Sequence, residues 1–425
     1  MFYLTKRKIK LFTLAVSLFL TILFIVFNNE DNGKTCFGSD CVLFNESKIE
    51  ILNTRNELGK NFYTILEYTK VIGENRFCKH YLEDNLIEEF KNNDEFNKIF
   101  SSNSKENNGL KYQYLDNCEF KNCFFTCNSD FIETADALVF SYGDFIGDLE
   151  YNQTKIKNLV DKRNPDQIWI MWNDEAAIPL KKYDYLYFNW SMTFYQTSEV
   201  WNFAYGGIVN AEKNDILITS EIINEEFNKR SNSAIWFVSN CGSKIRNKFA
   251  SELGDYYSLI IGGDCAYWIS GSKITRSVKK SKCERDSACE TDYMTHNKFY
   301  LAFESINCTD YITEKFWRSL SYGLIPIVFQ PSKESYKRIA PIDSFIHAQD
   351  FNYNPKRLAE YLNKVSNDKE LYFKHLKWKS MYRNYYKAND VEPFRLCQLC
   401  KKLNKETKLI YYKSLSSWTR GSCSS

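Results

Sequence analysis

The hydrophobic pattern divides the chain into unequal parts. Residues Leu11–Phe27, "LFTLAVSLFLTILFIVF", form an uncharged run preceded by "KRKIK" and followed by "NNEDNG". Roughly 17 to 20 apolar residues span a bilayer, and the basic flank predicts a cytoplasmic N-terminus with the remainder in the lumen. A cleaved signal peptide fits less well, because the run is long for an h-region and no small-x-small site follows. So short a span suits the thinner membranes of the early secretory pathway. The pattern therefore predicts a tail over 1–10, a signal-anchor over 11–27 and a polar stem over 28–60 without sustained periodicity. Residues 61–110 are Asn-rich, charged and helix-prone.

From about residue 130, short apolar runs alternate with helical segments. "ALVFS" (Ala137–Ser141) and "QIWIMW" (Gln167–Trp172) have the unbroken apolar character of buried parallel strands. Further on, "AIWFVS" (Ala234–Ser239) is followed by a helix with Ile245, Phe249 and Leu253 on one face, then by "YSLII", which makes a βαβ unit. "KFYLAF" (Lys298–Phe303) begins another. Ile312, Phe316 and Leu320 line its helix, Gly323 marks the stop, and "IPIVF" resumes as strand. Pro326 places that last strand at an edge or puts the proline early in it. The alternation predicts an α/β protein with two parallel-sheet domains and a boundary near 210–230. The chain's 425 residues are too many for one core and agree with that division.

A net charge of +3, from 56 basic and 53 acidic side chains, excludes the global field of a nucleic-acid binder. Fourteen cysteines fit an oxidising compartment and predict disulfides of unspecified pairing. "CQLC" has no second CxxC or His pair at metal spacing, and no metal site is predicted. Sequons at Asn45, Asn152, Asn189 and Asn307 are candidate glycosylation sites in the same topology.

Ligands of open α/β sheets bind beyond the carboxyl ends of the strands, against helix N-termini. Arg246 and Lys315 each fall in the first turn of a helix after such a strand, where a cation opposes the macrodipole. Either alone reads as a solvated helix residue; their matched placement points to a diphosphate gripped from two sides. Glu304 ends its strand and is a candidate acceptor of sugar hydroxyls, the alternative being a capping or surface carboxylate. Glu314 flanks the same loop. No Asp-x-Asp pair occurs, so protein cations would have to balance a leaving diphosphate. Past "QIWIMW", Glu175 is a candidate general base if partly desolvated, with Asp174 the competing choice.

"KFYLAFESINCTDYITEKFWRSLSYGLIPIVF" resembles the signature region of the α1,3-fucosyltransferases, which move fucose from GDP-fucose onto N-acetylglucosamine. "FNWSMTF", "FVSNCGSKIRNKF", "APIDSFIHAQDF", the terminal "CQLC" and Trp418–Cys423 also resemble that family, over roughly 130–425. The resemblance implies a two-domain GT-B fold, an inverting mechanism, type II Golgi membrane topology, a glycoprotein N-glycan acceptor and stimulation by Mn2+ without an Asp-x-Asp site. It implies an acceptor-binding domain over 61–215, a GDP-fucose-binding domain over 216–390 and a Cys-rich tail over 391–425. Glu175 matches the family's candidate base, and Arg246 and Lys315 its donor-phosphate ligands. Tyr311 and Glu314, with Glu304 and Asn240, complete the candidate donor site. The chain departs from the family at Ser305, at Ala176-Ala177 and in "FYQTSEV", where a basic and an acidic residue are missing. A luminal sugar-binding protein without turnover, or a transferase for another nucleotide sugar, are the competing readings.

Overall fold

Parallel sheets beyond residue 60 carry the chain's short apolar runs. A computed structural model describes residues 34–37, 40–44, 48–54, 62–69, 118–145, 153–176, 181–201, 204–211, 219–276, 283–386, 388–406, 408–418 and 423–424. The apolar run 11–27 lies outside them, and among the described residues no helix is long and apolar enough to cross a membrane.

The expected stem is in part a sheet. Strands β1 (Lys34–Phe37), β2 (Asp40–Phe44) and β3 (Lys48–Thr54) pair antiparallel in that order. Strands this short show little periodicity, and the partner that completes them lies near the far end of the chain.

The first parallel sheet comprises β4 (Tyr63–Glu67), β5 (Cys123–Thr126), β6 (Ala137–Ser141), β7 (Ile168–Asn173), β8 (Trp190–Thr193) and β9 (Val200–Trp201), in the order β5-β4-β6-β7-β8-β9. Helix α1 (Gln153–Asp161) connects β6 to β7. Strand β4 falls where the sequence read as helix-prone. All five of its residues are buried, and a short run covered on both faces has no period to distinguish strand from helix. Strand β10 (Gly207–Asn210) then leads into the second domain.

That domain contains helix α2 (Ser220–Lys229), β11 (Ser231–Phe237), helix α3 (Lys244–Leu253), β12 (Leu259–Gly262) and β13 (Ile274–Arg276). Helix α4 (Ala288–His296), β14 (Asn297–Leu301), β15 (Asn307–Cys308), helix α5 (Glu314–Ser321) and β16 (Ile325–Val328) follow. Helix α6 (Lys333–Ile339), β17 (Ile346–His347), helices α7 (Pro355–Asn367) and α8 (Lys369–Leu376), and β18 (Tyr382–Tyr385) complete it. Its main sheet runs β13-β12-β11-β14-β16-β17 with every pair parallel. Both expected βαβ units are present. In α3, Phe249 and Leu253 are buried but Ile245 is 58% exposed, so the predicted apolar face stops one turn short. Gly323 ends the turn after α5 at φ 73°, a conformation that favours glycine. Strand β16 is one strand in from the edge. Pro326 pairs with Tyr300 and precedes the residues that pair with β17, so it occupies the early position expected for proline.

The residues expected to form a terminal tail return to the first domain. Helix α9 (Ala388–Lys405) buries Leu396, Leu399 and Leu403 in the first core, and disulfides Cys118–Cys397 and Cys123–Cys400 fasten it there. The two cysteines of "CQLC" thus have separate disulfide partners. Strand β19 (Lys408–Tyr412) pairs with β3, helix α10 (Leu415–Trp418) follows, and β20 (Cys423–Ser424) pairs with β15 beside the Cys308–Cys423 disulfide.

Burial corrects one sequon. Asn189 is fully buried, its Oδ1 accepts from Trp169 N–H at 2.7 Å and from Arg163, and its Nδ2 donates to Ile410 O at 3.0 Å. A glycan there is incompatible with this packing, which a three-residue motif does not record. Asn307 is exposed; Asn45 and Asn152 lie outside the described residues.

Lys298, the second residue of β14, is buried with its ammonium 3.9 Å from the Phe227 ring centroid. It donates to Asn232 Oδ1 at 2.6 Å and Ser366 O at 3.0 Å, and burial lowers its pKa to about 8. Between that value and the unfolded lysine pKa the unfolded chain binds more protons, so this group makes stability rise with pH. Lys298→Met removes the rise. The stability of the variant minus that of wild type is expected to fall by on the order of 1–3 kcal/mol between pH 7.5 and pH 10.5 in denaturant titrations. A pH-independent difference would contradict the assignment.

Candidate active site

The carboxyl ends of both parallel sheets meet across a cleft. On the first-domain wall, the turn after β7 presents Asp174 and Glu175. Tyr205 donates to Asp174 O at 2.6 Å, and the Asn173 side chain accepts from Glu175 N–H at 3.2 Å. The two carboxylates then diverge. Asp174 Oδ2 pairs at 3.0 Å with Arg395, a buried residue of α9, whereas Glu175 Oε2 accepts from the Tyr311 hydroxyl of the second domain at 2.9 Å. Glu175 is therefore the carboxylate that faces the cleft. It is exposed rather than partly desolvated as expected.

Arg246 occupies the third position of α3 and is buried. Its Nη1 donates to Phe303 O at 2.8 Å and its Nη2 to Asn240 O at 2.6 Å, bridging the ends of two neighbouring strands. Its guanidinium lies 5.7 Å from the Trp236 ring, and burial lowers its pKa. The side chain borders a cavity of about 320 Å³ shared with Lys315, Arg285 and Arg318. Asn240 is exposed at the rim, its Oδ1 accepting from Gly242 N–H at 3.0 Å.

Lys315 is the second residue of α5. Its ammonium donates to Glu304 Oε2 at 3.0 Å and Thr313 Oγ1 at 2.7 Å, with Glu314 at 3.7 Å. Burial opposes its charge, but Glu304 and Glu314 outweigh this and hold its pKa above the ordinary lysine value. Glu304 is fully buried and does not face the cleft as a sugar ligand. Its Oε1 accepts from the Thr313 N–H at 2.8 Å and the Thr313 hydroxyl at 2.9 Å, which caps α5 from outside the helix. This arrangement matches the capping alternative, and burial is what a linear sequence does not show. Burial pushes Glu304 up, opposed by Lys315 and the Thr313 N–H. For Glu314, burial acts upward too, but Lys315 and Arg285, the latter at 2.9 Å, bring its pKa below the ordinary value.

Several site residues were missed from sequence. Arg318 lies on the same face of α5 as Lys315, three residues on, and that spacing was the available signal. It pairs closely with buried Glu290. Arg285 reaches the cavity from the loop enclosed by the Cys283–Cys289 disulfide, and nothing in its local sequence marks it. Tyr205 and Phe194 pack edge-on against Tyr311 at 5.8 and 5.0 Å, and Tyr195 packs on Trp418 at 5.4 Å. The "FYQTSEV" departure thus contributes to an aromatic seam between the domains. Gln196 N–H also donates to Asp310 Oδ2 at 3.2 Å across it. Ala176 packs against that seam, and Ser305 borders the cation-lined cavity.

The cleft sets the Glu175 carboxylate at the edge of a cavity that four cations also border. Residues 227–418 match the glycosyltransferase family 10 (fucosyltransferase) C-terminal domain, and residues 91–206 match the fucosyltransferase N-terminal domain. Glycoprotein 3-alpha-L-fucosyltransferase A of Drosophila melanogaster is 32% identical over 72% of this chain and 56% of its own length. Alpha-(1,3)-fucosyltransferase fut-5 of Caenorhabditis elegans is 30% identical over 70% of this chain and 75% of its own. A crystal structure of an alpha1,3-fucosyltransferase with GDP-fucose aligns with 84% of this chain and 97% of its own, at 15% identity and a TM-score of 0.41. The chain belongs to glycosyltransferase family 10, the fucosyltransferases.

The Glu304–Lys315 pair has a measurable consequence. Lys315→Ala leaves a buried carboxylate without its cation and is expected to cost about 3 kcal/mol of stability. Adding Glu304→Gln to Lys315→Met removes both charges and is expected to recover part of the loss relative to Lys315→Met alone. Denaturant melts of the variants check this, and wild-type stability in Lys315→Ala would contradict it.

Proposed function

We propose that the protein is an inverting α1,3-fucosyltransferase that moves L-fucose from GDP-fucose to an N-acetylglucosamine of a glycoprotein N-glycan. The observation that carries this reading is that Glu175 borders the same cavity as Arg246, Lys315, Arg285 and Arg318. The names of the fucosyltransferase relatives support the transferred sugar and the α1,3 linkage, and that of the Drosophila relative supports a glycoprotein acceptor. Luminal residence, with anchorage in the Golgi membrane by residues 11–27, is supported by the apolar run, its basic flank and the disulfides.

In this mechanism the Glu175 carboxylate removes a proton from the acceptor hydroxyl. The resulting oxygen nucleophile forms a bond to the anomeric carbon as the bond to the β-phosphate oxygen breaks, and its electron pair leaves with GDP. Attack from the face opposite the leaving group inverts the centre. Arg246 and Lys315 balance the charge that develops on the diphosphate, and charge so placed before reaction needs little reorganisation. A bound diphosphate also changes the situation of Lys315, whose ammonium is held by Glu304 and Thr313 without it. Tyr311 orients Glu175 until the acceptor hydroxyl becomes its hydrogen-bond partner. Asn240 and Glu314 border the same cavity and are the remaining donor contacts.

Glu175→Gln keeps the size and polarity of the side chain and removes its basicity. Its rate constant for transfer is expected to fall about 10²- to 10⁴-fold, with GDP affinity within about twofold of wild type by calorimetry. Transfer from GDP-fucose to a defined N-glycan, with the product identified by mass spectrometry in the presence and absence of Mn2+, supplies the assay. Wild-type turnover in Glu175→Gln would overturn the base assignment. GDP binding without transfer by wild type to any glycan would favour a sugar-binding protein.

A further inference from the structure

A second cavity opens beside the first. Its volume is about 1110 Å³ against 320 Å³ for the cation-lined one, and Glu175, Asn240, Ser305 and Tyr311 border both. Its chemistry differs. Among the described residues that line it, Lys244 and Glu175 are the only charged ones, where the smaller cavity has four cations, Arg246, Arg285, Lys315 and Arg318, against the three carboxylates of Glu175, Glu290 and Glu314, an excess of one cation. A space with one charge of each sign has no excess cation to hold a phosphate.

Apolar and amide groups border it instead. Ile245, which escapes the buried face of α3, is 58% exposed, and Tyr353 is 45% exposed. Tyr353 and the preceding Asn352 have φ values of 53° and 54°, sparsely populated for residues other than glycine. The Tyr353 ring packs edge-on against Phe329 at 5.5 Å, so its direction is set by both backbone and core. Gln330 is fixed at the wall by donating to Glu304 O at 3.1 Å. Flat apolar surface interspersed with neutral hydrogen-bonding groups suits a ligand that is uncharged, polyhydroxylated and apolar on its ring faces. Sugar rings have that chemistry.

We propose that this cavity is a subsite on the second domain for the acceptor oligosaccharide. It receives sugar rings beyond the one that reacts at Glu175, with Tyr353 and Ile245 as the surfaces against which they lie. The inference rests on the transferase reading above and adds a specificity determinant to it. The subsite favours acceptors long enough to reach from Glu175 into the second-domain loops, and a single N-acetylglucosamine glycoside cannot occupy it.

The test compares a complete N-glycan with an N-acetylglucosamine glycoside as acceptors for wild type, Tyr353→Ala and Ile245→Gln. Wild type should have the lower KM for the N-glycan. Each variant should raise that KM, by about tenfold for Tyr353→Ala, and narrow the preference between the two acceptors. GDP affinity and Tm, measured alongside, show whether each variant remains folded. Unchanged N-glycan KM in both folded variants would overturn the subsite. Should wild type transfer to neither acceptor, the transferase reading fails instead, and the subsite is tested by saturation-transfer NMR of the N-glycan with GDP present. Loss of glycan contacts in Tyr353→Ala supports it; wild-type contacts overturn it.

Discussion

The buried carboxylate of Glu304 organises the second half of the cleft. It stands where β14 gives way to the signature loop and accepts from the N–H and hydroxyl of Thr313 and the ammonium of Lys315. This attachment holds the start of α5 close to the strand end. It also offsets the cost of setting a cation in a first helical turn, where the macrodipole is already positive. Glu304 contributes to the site through position and charge balance rather than by facing a sugar. Arg246 completes the frame from the adjacent strand by binding Phe303 O next to that carboxylate.

The other wall depends on the returning C-terminal segment. Helix α9 is joined to the first domain by two disulfides whose cysteines lie 279 and 277 residues apart, and buries Arg395 against Asp174. Engagement of Asp174 leaves Glu175 toward the cleft. The Cys308–Cys423 disulfide then ties the chain end to the signature loop, within a seam of Phe194, Tyr195, Tyr205, Tyr311 and Trp418. The carboxylate and the cations thus belong to different sheets but share one set of packing constraints.

Parallel sheets explain why these groups meet. Every strand of such a sheet ends on the same side, and the following helix starts there, so loops distant in sequence become neighbours. The sheet core uses continuous apolar runs such as Ala137–Ser141 and Ile325–Val328, leaving chemistry to the strand-end loops.

The sequence by itself determined the α/β class, the two βαβ units of the second domain, the stop at Gly323 and the cations Arg246 and Lys315. Those features depend on local periodicity, on backbone freedom or on a motif read within one loop. Tertiary structure alone decided that Tyr63–Glu67 is a strand, that residues 391–425 include part of the first core, that Asn189 is enclosed and that Ile245 opens onto a cavity. It also paired Asp174 with Arg395, left Glu175 facing the cleft and turned Glu304 inward. Each of these depends on partners tens to hundreds of residues away, and neither burial nor pairing with such a partner has a local sequence signature.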